Sequence, residues 1–234
     1  MYSIKEASPE SKTIQRFFDA IAARYDLLNQ LLSFHLDDRW RRQARDLILN
    51  RPYDSLLDLG TGTGKFLELF LKTKSWKRCV ALDFSSPMLE EARRQLPPHV
   101  RYANADFLAL PFPPESFDLI ASAFTLRSVK NMPIFLHGVY ELLTERGRAA
   151  FLCLTRPQNF FVKLLYYPYL KIYLPLVGGL ISGNKQAYRF LSESILNFQD
   201  PEQTAAMMQE AGFQDVQIRR FTFGAATLIM GRKS

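Results

Sequence analysis

The segment Leu56-Leu57-Asp58-Leu59-Gly60-Thr61-Gly62-Thr63-Gly64 decides the fold of this chain. It opens as a short apolar run, the pattern of a buried strand, and closes on three glycines at alternate positions. Lys65 to Leu71 then has a helical pattern. Strand, glycine turn and helix in that order make a pocket for an adenine-containing cofactor in α/β proteins. About twenty residues on, Cys79-Val80-Ala81-Leu82-Asp83 is a second buried strand ending in an acid, placed to accept hydrogen bonds from a ribose.

Working outward, strands and helices alternate. Ser85-Ser86-Pro87 starts a helix, with proline at its first position, that runs to about Gln95 and stops at Pro97-Pro98. His99 to Ala103, Phe117 to Ala123 and Gly147 to Leu154 are the third, fourth and fifth strands, and Met132 to Thr144 is helical. Asp200-Pro201-Glu202-Gln203 caps a late helix that Gly212 closes. Val216 to Phe221 and Ala225 to Met230 form a terminal strand pair. Upstream, Ile14 to Leu32 has apolar residues at helical spacing, and Arg39 to Asn50 is a basic helix ended by Arg51-Pro52. The expectation is an α/β fold: a doubly wound, mostly parallel seven-stranded sheet, with an antiparallel strand added at one edge. One domain spans 1–234, as an N-terminal helical cap (1–50), a cofactor-binding core (51–154), a substrate-side insertion (155–200) and a final helix and strand pair (201–234).

Composition fits this. The 234 residues are 47% hydrophobic and 23% charged, which suits a folded core without a long disordered tail. A formal charge of +7 is modest and spread along the chain. With no arginine-rich arm, no nucleic-acid partner is expected. Cys79 and Cys153 both fall in apolar strands, as core residues rather than a disulfide. The first twelve residues carry no apolar signal region, which points to the cytoplasm. No His/Cys/Asp cluster has metal-ligand spacing, so no metal is expected.

Asn159 to Gly183 breaks the alternation. It is dense in aromatic and aliphatic residues, interrupted by Pro168, Pro175, Gly178 and Gly179, with Lys163 and Lys171 inside it. Its longest uncharged run is short for a membrane span, and the prolines argue further against one. An insertion of this kind can cover a pocket, touch a membrane surface, contact a partner or simply add core under a long loop. Tyrosines mixed with lysines favour a membrane interface.

The glycine spacing G-x-G-x-G differs from the G-x-G-x-x-G of dinucleotide binding. Gly64-Lys65-Phe66 lacks the hydroxyl residue of a nucleotide-triphosphate loop. Acids at Asp58 and Asp83 suit a cationic ligand better than a pyrophosphate. S-adenosylmethionine fits: it carries an ammonium, a ribose and a sulfonium. Asn104-Ala105-Asp106, at the end of the third strand, would flank its adenine.

These segments, with Leu110-Pro111-Phe112 and Ser116-Phe117-Asp118, resemble class I S-adenosylmethionine-dependent methyltransferases. More distinctive stretches are Phe17 to Asn29, Leu31-Leu32-Ser33-Phe34, Asp38-Arg39-Trp40-Arg41, Phe124-Thr125-Leu126-Arg127 and Ala187 to Leu191 with Ser194-Ile195. These resemble the ubiquinone/menaquinone biosynthesis C-methyltransferases from about residue 14 to residue 231. The resemblance implies methyl transfer to a ring carbon of a prenylated quinol such as demethylmenaquinol. It also implies that Thr63, Asp83, Asn104 and Ala105 hold the cofactor, and that the insertion lies near the prenyl-quinol pocket. The full candidate cofactor set is Tyr25, Asp58, Gly60, Thr61, Gly62, Thr63, Asp83, Phe84, Met88, Asn104, Ala105, Asp106 and Ala123. Phe18, Phe124, Ser128 and Tyr188 are the substrate candidates.

The chain departs from the family pattern at four positions: His35 replaces glycine, Ala123 serine, Ser128 asparagine and Cys153 glutamate. The last three fall at the carboxyl ends of strands four and five, where the chemistry is expected.

A neutral quinol carbon is a poor nucleophile, and loss of a hydroxyl proton activates it. Arg127 is the candidate for stabilising the resulting oxyanion, and His35 the candidate general base. The expected partners are a lipid quinol and, transiently, the inner face of the cytoplasmic membrane; a homodimer is left open. Competing readings are a methyltransferase acting on another small phenol or isoprenoid, and a cofactor-binding scaffold altered in catalysis.

Overall fold

The computed structural model describes residue 19 and residues 25–182 and 185–234. Much of the expected first helix, including Phe18, lies outside the described residues. Its described part is α1 (Tyr25–Ser33), of which the Tyr25 side chain is also outside them. A left-handed turn at Phe34 and His35 leads into α2 (Leu36–Ile48), where Trp40, Ala44 and Ile48 face the core.

The sheet begins at β1 (Ser55–Leu59), followed by α3 (Lys65–Leu71), β2 (Arg78–Asp83), α4 (Ser86–Gln95) and β3 (Arg101–Asn104). β3 starts two residues later than the apolar run suggested. Ser85 caps α4 by accepting from the Met88 N–H at 3.3 Å, so Ser86 takes the first helical position and Pro87 the second. β4 (Phe117–Ala123) is followed by a 3₁₀ turn (Leu126–Ser128) and α5 (Met132–Leu142), which passes directly into β5 (Leu143–Leu154).

The insertion follows as α6 (Phe160–Pro168), a π turn (Tyr169–Tyr173), α7 (Leu174–Ser182) and α8 (Lys185–Leu196). α9 (Pro201–Glu210), β6 (Gln214–Phe221) and β7 (Ala226–Arg232) close the chain. At the start of α9, Gln203 Oε1 accepts from the Asp200 N–H at 3.1 Å, the reciprocal cap legible in the sequence.

Strand order is β3-β2-β1-β4-β5-β7-β6. The first five strands are parallel, and β7 runs antiparallel to both β5 and β6. One face packs Trp40, Ile48, Phe66 and Phe70 from α2 and α3; the other packs Phe135, Val139, Met208 and Phe213. Each such buried side chain contributes about 1.5–3 kcal/mol. The order reverses between β1 and β4, and the Ser122 hydroxyl ties them by donating to the Leu59 carbonyl at 2.6 Å. In open α/β sheets a crevice at the carboxyl ends of such strands takes ligands.

The insertion corrects one expectation. Phe160–Ile181 is one continuous helical stretch of 22 residues, long and apolar enough by length and composition to cross a membrane. Pro168 removes one backbone donor, and the π turn that follows resets the hydrogen-bond register, so the helical run continues. One side packs onto the body: Leu170 and Leu174 meet Leu32, Tyr188 and Ile195. The Tyr166 hydroxyl donates to the Thr155 carbonyl at 3.0 Å and that of Tyr169 to Leu32 at 2.5 Å. The other side is bare, with Phe160, Phe161 and Leu180 each at least 71% exposed.

Candidate active site

The glycine turn sits at the reversal point. The N–H groups of Gly60 and Thr61 donate to the Leu82 carbonyl at 2.8 and 2.9 Å, clamping the turn to the end of β2. Gly60 has φ +69°, and a Cβ there would come within 2.5 Å of Thr125. Gly62 donates to Asp83 Oδ2 at 2.8 Å, and the Ser85 N–H to Asp83 Oδ1 at 2.9 Å. Asp83 thus faces the turn with both oxygens anchored by backbone donors. A carboxylate offers about four acceptor sites, so capacity remains for a ribose diol. Burial pushes Asp83 up to about 6, against the backbone donors of Ser85, Gly62 and Phe84, and the Asp19 charge adds to the rise.

Asp58 lies behind the turn, almost fully buried. The Thr61 hydroxyl donates to its Oδ2 at 2.7 Å, while Oδ1 has no partner among the described residues. Burial pushes it up to about 7; Thr61 opposes, Asp83 adds, and Arg41 and the Leu67 backbone oppose. An unpartnered buried acceptor beneath a glycine turn suits a ligand ammonium, reached directly or through water.

Gly60, Thr61, Gly62, Thr63, Asp83, Phe84, Met88 and Ala123 line one narrow cleft. Phe84, Phe107 and Ser128 also line an adjoining hollow with Asp106 and Lys130, so the groove extends past β3. Asn104 and Ala105 line neither; the Asn104 amide donates to the Asp83 carbonyl at 3.0 Å, bracing the acid from behind. The Thr63 hydroxyl donates to Asp26 of α1 at 2.7 Å, and that of Ser85 to Asp19 at 2.5 Å. The N-terminal cap is therefore fastened over the cleft by side-chain hydrogen bonds.

A second cavity, about 340 Å³, lies between α1, α2, the insertion and the ends of β4 and β5. Its wall is mostly apolar, with Trp40, Phe124, Leu154, Leu165, Tyr166, Tyr169 and Tyr188. Four of its lining residues, Phe34, Phe124, Thr222 and Phe223, have left-handed backbones. Non-glycine strain of this kind gathers at ligand sites. Burial pushes Tyr169 up to about 12 and Tyr166 still higher, and their hydroxyls are spent on backbone carbonyls, so neither accepts a proton. Arg127 reaches this cavity from the 3₁₀ turn, its Nη1 donating to Ser194 Oγ at 3.1 Å.

Three positions need correcting. His35 is exposed, lines neither cavity, and occupies φ +61°. A left-handed turn favours glycine, so His35 is a strained surface residue that the structure places away from both cavities. Ser128 lines the cofactor cleft and its extension rather than the substrate cavity. Cys153 points into the core against the other face, and burial pushes its thiol up to about 12, so that departure touches packing. Phe124 and Tyr188 line the apolar cavity. Among the described residues no cluster of His, Cys, Asp or Glu could hold a metal.

One feature was missed from the sequence. Asp37 and Arg41 form an ion pair on the buried side of α2, 2.5 Å apart, and both line the apolar cavity. Their i, i+4 spacing beside Trp40 was the available signal.

Residues 5–233 match the ubiE/COQ5 methyltransferase family. The chain belongs to the ubiE/COQ5 methyltransferase family. It is 44% identical over 218 residues to a demethylmenaquinone methyltransferase of Thermus thermophilus, covering 92% of this chain and 98% of that protein. A demethylmenaquinone methyltransferase of Thermotoga maritima is 39% identical, with 94% and 96% covered. The fold also matches the crystal structure of a SAM-dependent methyltransferase from Thermotoga maritima, with TM-score 0.67, 20% identity, and 94% and 100% covered. As a ubiE/COQ5 methyltransferase, the chain takes S-adenosylmethionine as its methyl donor, and the cleft at Asp58 and Asp83 has the acceptors that ligand needs.

Proposed function

We propose that this methyltransferase acts on a ring carbon of a prenylated quinol of the demethylmenaquinol type, drawn from a membrane surface. The observation that carries the reading is a shared wall: the cofactor cleft and the apolar cavity meet at Arg41 and Phe124. A ring in the cavity and a methyl donor in the cleft would then face each other across that wall. The mostly apolar lining suits a prenyl tail, and the names of the similar proteins point the same way.

Asp83, Asp58 and the turn from Gly60 to Thr63 would hold S-adenosylmethionine, which supplies an electrophilic methyl group when bound. The chain's own task is to position the ring, exclude water and favour the ionised quinol, whose carbon is the stronger nucleophile. Arg127, tethered by Ser194, offers a fixed cation in the cavity.

The bare side of Phe160–Ile181 supports contact with a lipid surface. Phe161, Leu164, Ile172 and Leu180 are exposed, and Phe34 and Phe223 extend the apolar rim. Lys171 lies 6.0 Å from the Tyr167 ring, the arrangement of a side chain that keeps its charge in the headgroup layer. The opposite side of the helix walls the cavity, which favours lying in the interface over spanning the bilayer.

Mass spectrometry of the host's quinones with and without this gene tests the substrate. Deletion should accumulate the quinone lacking one ring methyl; an unchanged quinone profile would contradict the reading. Co-sedimentation with anionic vesicles tests the surface, and Phe161→Glu with Leu164→Glu should release the protein while sparing cofactor binding.

A further inference from the structure

We propose that Arg41, held by Asp37, is a catalytic cation that receives the quinol oxygen at the wall between the two cavities and favours its ionised form. The proposal rests on the quinol reading above.

Position comes first. Among the described residues, Arg41 and Phe124 are the two that line both cavities, and the Arg41 guanidinium stands 4.9 Å over the Phe124 ring. Asp37 lines the apolar cavity alone. The ion pair is therefore polarised, with its positive end nearer the methyl donor. A quinol oxygen beside the carbon to be methylated belongs at that end.

Anchoring is the second point. Arg41 Nη1 meets Asp37 Oδ2 at 2.5 Å and Asp38 Oδ1 at 3.7 Å. Asp37 Oδ1 accepts from the Ser33 hydroxyl at 2.6 Å. Burial alone would raise Asp37, but the Arg41 charge and the donors from Ser33, Arg41 and the Asp38 backbone leave it lowered and ionised. The bonds to described residues use Nη1, so Nε and Nη2 are left for a ligand. A guanidinium offers five donors in a fixed fork, and fixing it in advance spares reorganisation when charge develops. Stability alone does not account for the pair, because buried ion pairs give little net stabilisation against apolar replacements.

The chemistry then balances. The hydroxyl proton leaves to solvent, and the ring carbon forms a bond to the methyl group as the sulfonium becomes a thioether. The ring proton is lost and the oxygen regains one. The net change is C–H to C–CH₃ with one proton released. An opposite charge within about 4–6 Å lowers a phenol's pKa by about 1–3 units. The other charged groups facing Arg41 are Asp58 behind the glycine turn, Lys65 and Asp83 on the cleft, and Arg127 on the cavity.

The test uses the full chain and an alkyl-substituted 4-nitrophenol, whose ionisation is visible in its absorbance without cofactor or turnover. Bound to the parent, the phenol's pKa should fall by about one unit or more. Arg41→Gln should abolish that fall and Arg41→Lys should retain part of it. The double variant Arg41→Gln/Asp37→Asn leaves no unpaired buried charge and should also abolish it. With a short-chain quinol, Arg41→Gln should lower kcat about a hundredfold and move the acid limb of the kcat profile upward, with cofactor affinity little changed. Asp37→Asn alone should give an intermediate shift, as expected of a positioning residue. An equal phenol pKa in parent and Arg41 variants, or an unchanged kcat profile, would overturn the proposal. If the parent turns over no quinol yet ionises the phenol, the substrate reading fails while Arg41 keeps its role.

Discussion

Replacing Asp58 by Asn should make the cofactor-free protein more stable, and increasingly so as pH rises. The Asp58 carboxyl is buried, one oxygen has no hydrogen-bond partner among the described residues, and burial pushes its pKa up to about 7 from an ordinary 3.8. Below 3.8 it is protonated in both states and has no effect. Between 3.8 and about 7 the folded state holds the proton more firmly than the unfolded state, so stability falls as pH rises. Above 7 the loss is complete and constant. About three pH units at ~1.4 kcal/mol each give a loss on the order of 4 kcal/mol. Asp58→Asn removes it, together with the Asp83 charge's contribution to the rise. Urea unfolding of parent and variant from pH 4 to pH 8, compared at equal m-values, reads the difference directly. The variant's advantage should grow to a few kcal/mol by pH 8, while its affinity for S-adenosylmethionine falls. An advantage that does not change with pH, or a variant less stable at pH 8, would refute the reasoning.

Other outcomes follow from the same geometry. Asp83→Ala should remove detectable cofactor binding by calorimetry and also cost about 1–3 kcal/mol for each of the Gly62 and Ser85 donors it strands. Gly64→Ala should destabilise by about 1–2 kcal/mol in thermal unfolding, because φ is +89° and the new methyl would meet Leu96 at 2.8 Å. His35→Gly should raise stability by about 1 kcal/mol and leave kcat unchanged, since the turn at φ +61° favours glycine; a large loss of turnover would restore His35 to the chemistry.

The centre of the sheet was legible because β1, β2 and β4 are short, mostly apolar runs punctuated by glycine, proline and capping residues. β1 with its glycine turn, β2 ending at Asp83, and β4 appear where the residues placed them. The Asp200 cap was legible for the same reason, since local hydrogen bonds decide it. The insertion was harder. Its prolines suggested interruptions, but a π turn absorbs Pro168, and one helical stretch results. The substrate side depends on which faces meet. Sequence spacing could not show that Cys153 points to the far face, that Ser128 belongs to the cofactor groove, or that His35 faces water. The Asp37–Arg41 pair was overlooked for a related reason. Opposite charges four residues apart usually decorate an exposed helix face, and only the packing of α2 under the insertion buries them.

The most direct test is to incubate the purified protein with a short-chain demethylmenaquinol, kept reduced, and S-adenosylmethionine carrying a trideuteromethyl group. Mass spectrometry should find that label on a ring carbon of the quinol, with none transferred to the oxidised quinone. Tight binding of the methyl donor with no labelled ring carbon on any quinol would contradict the account.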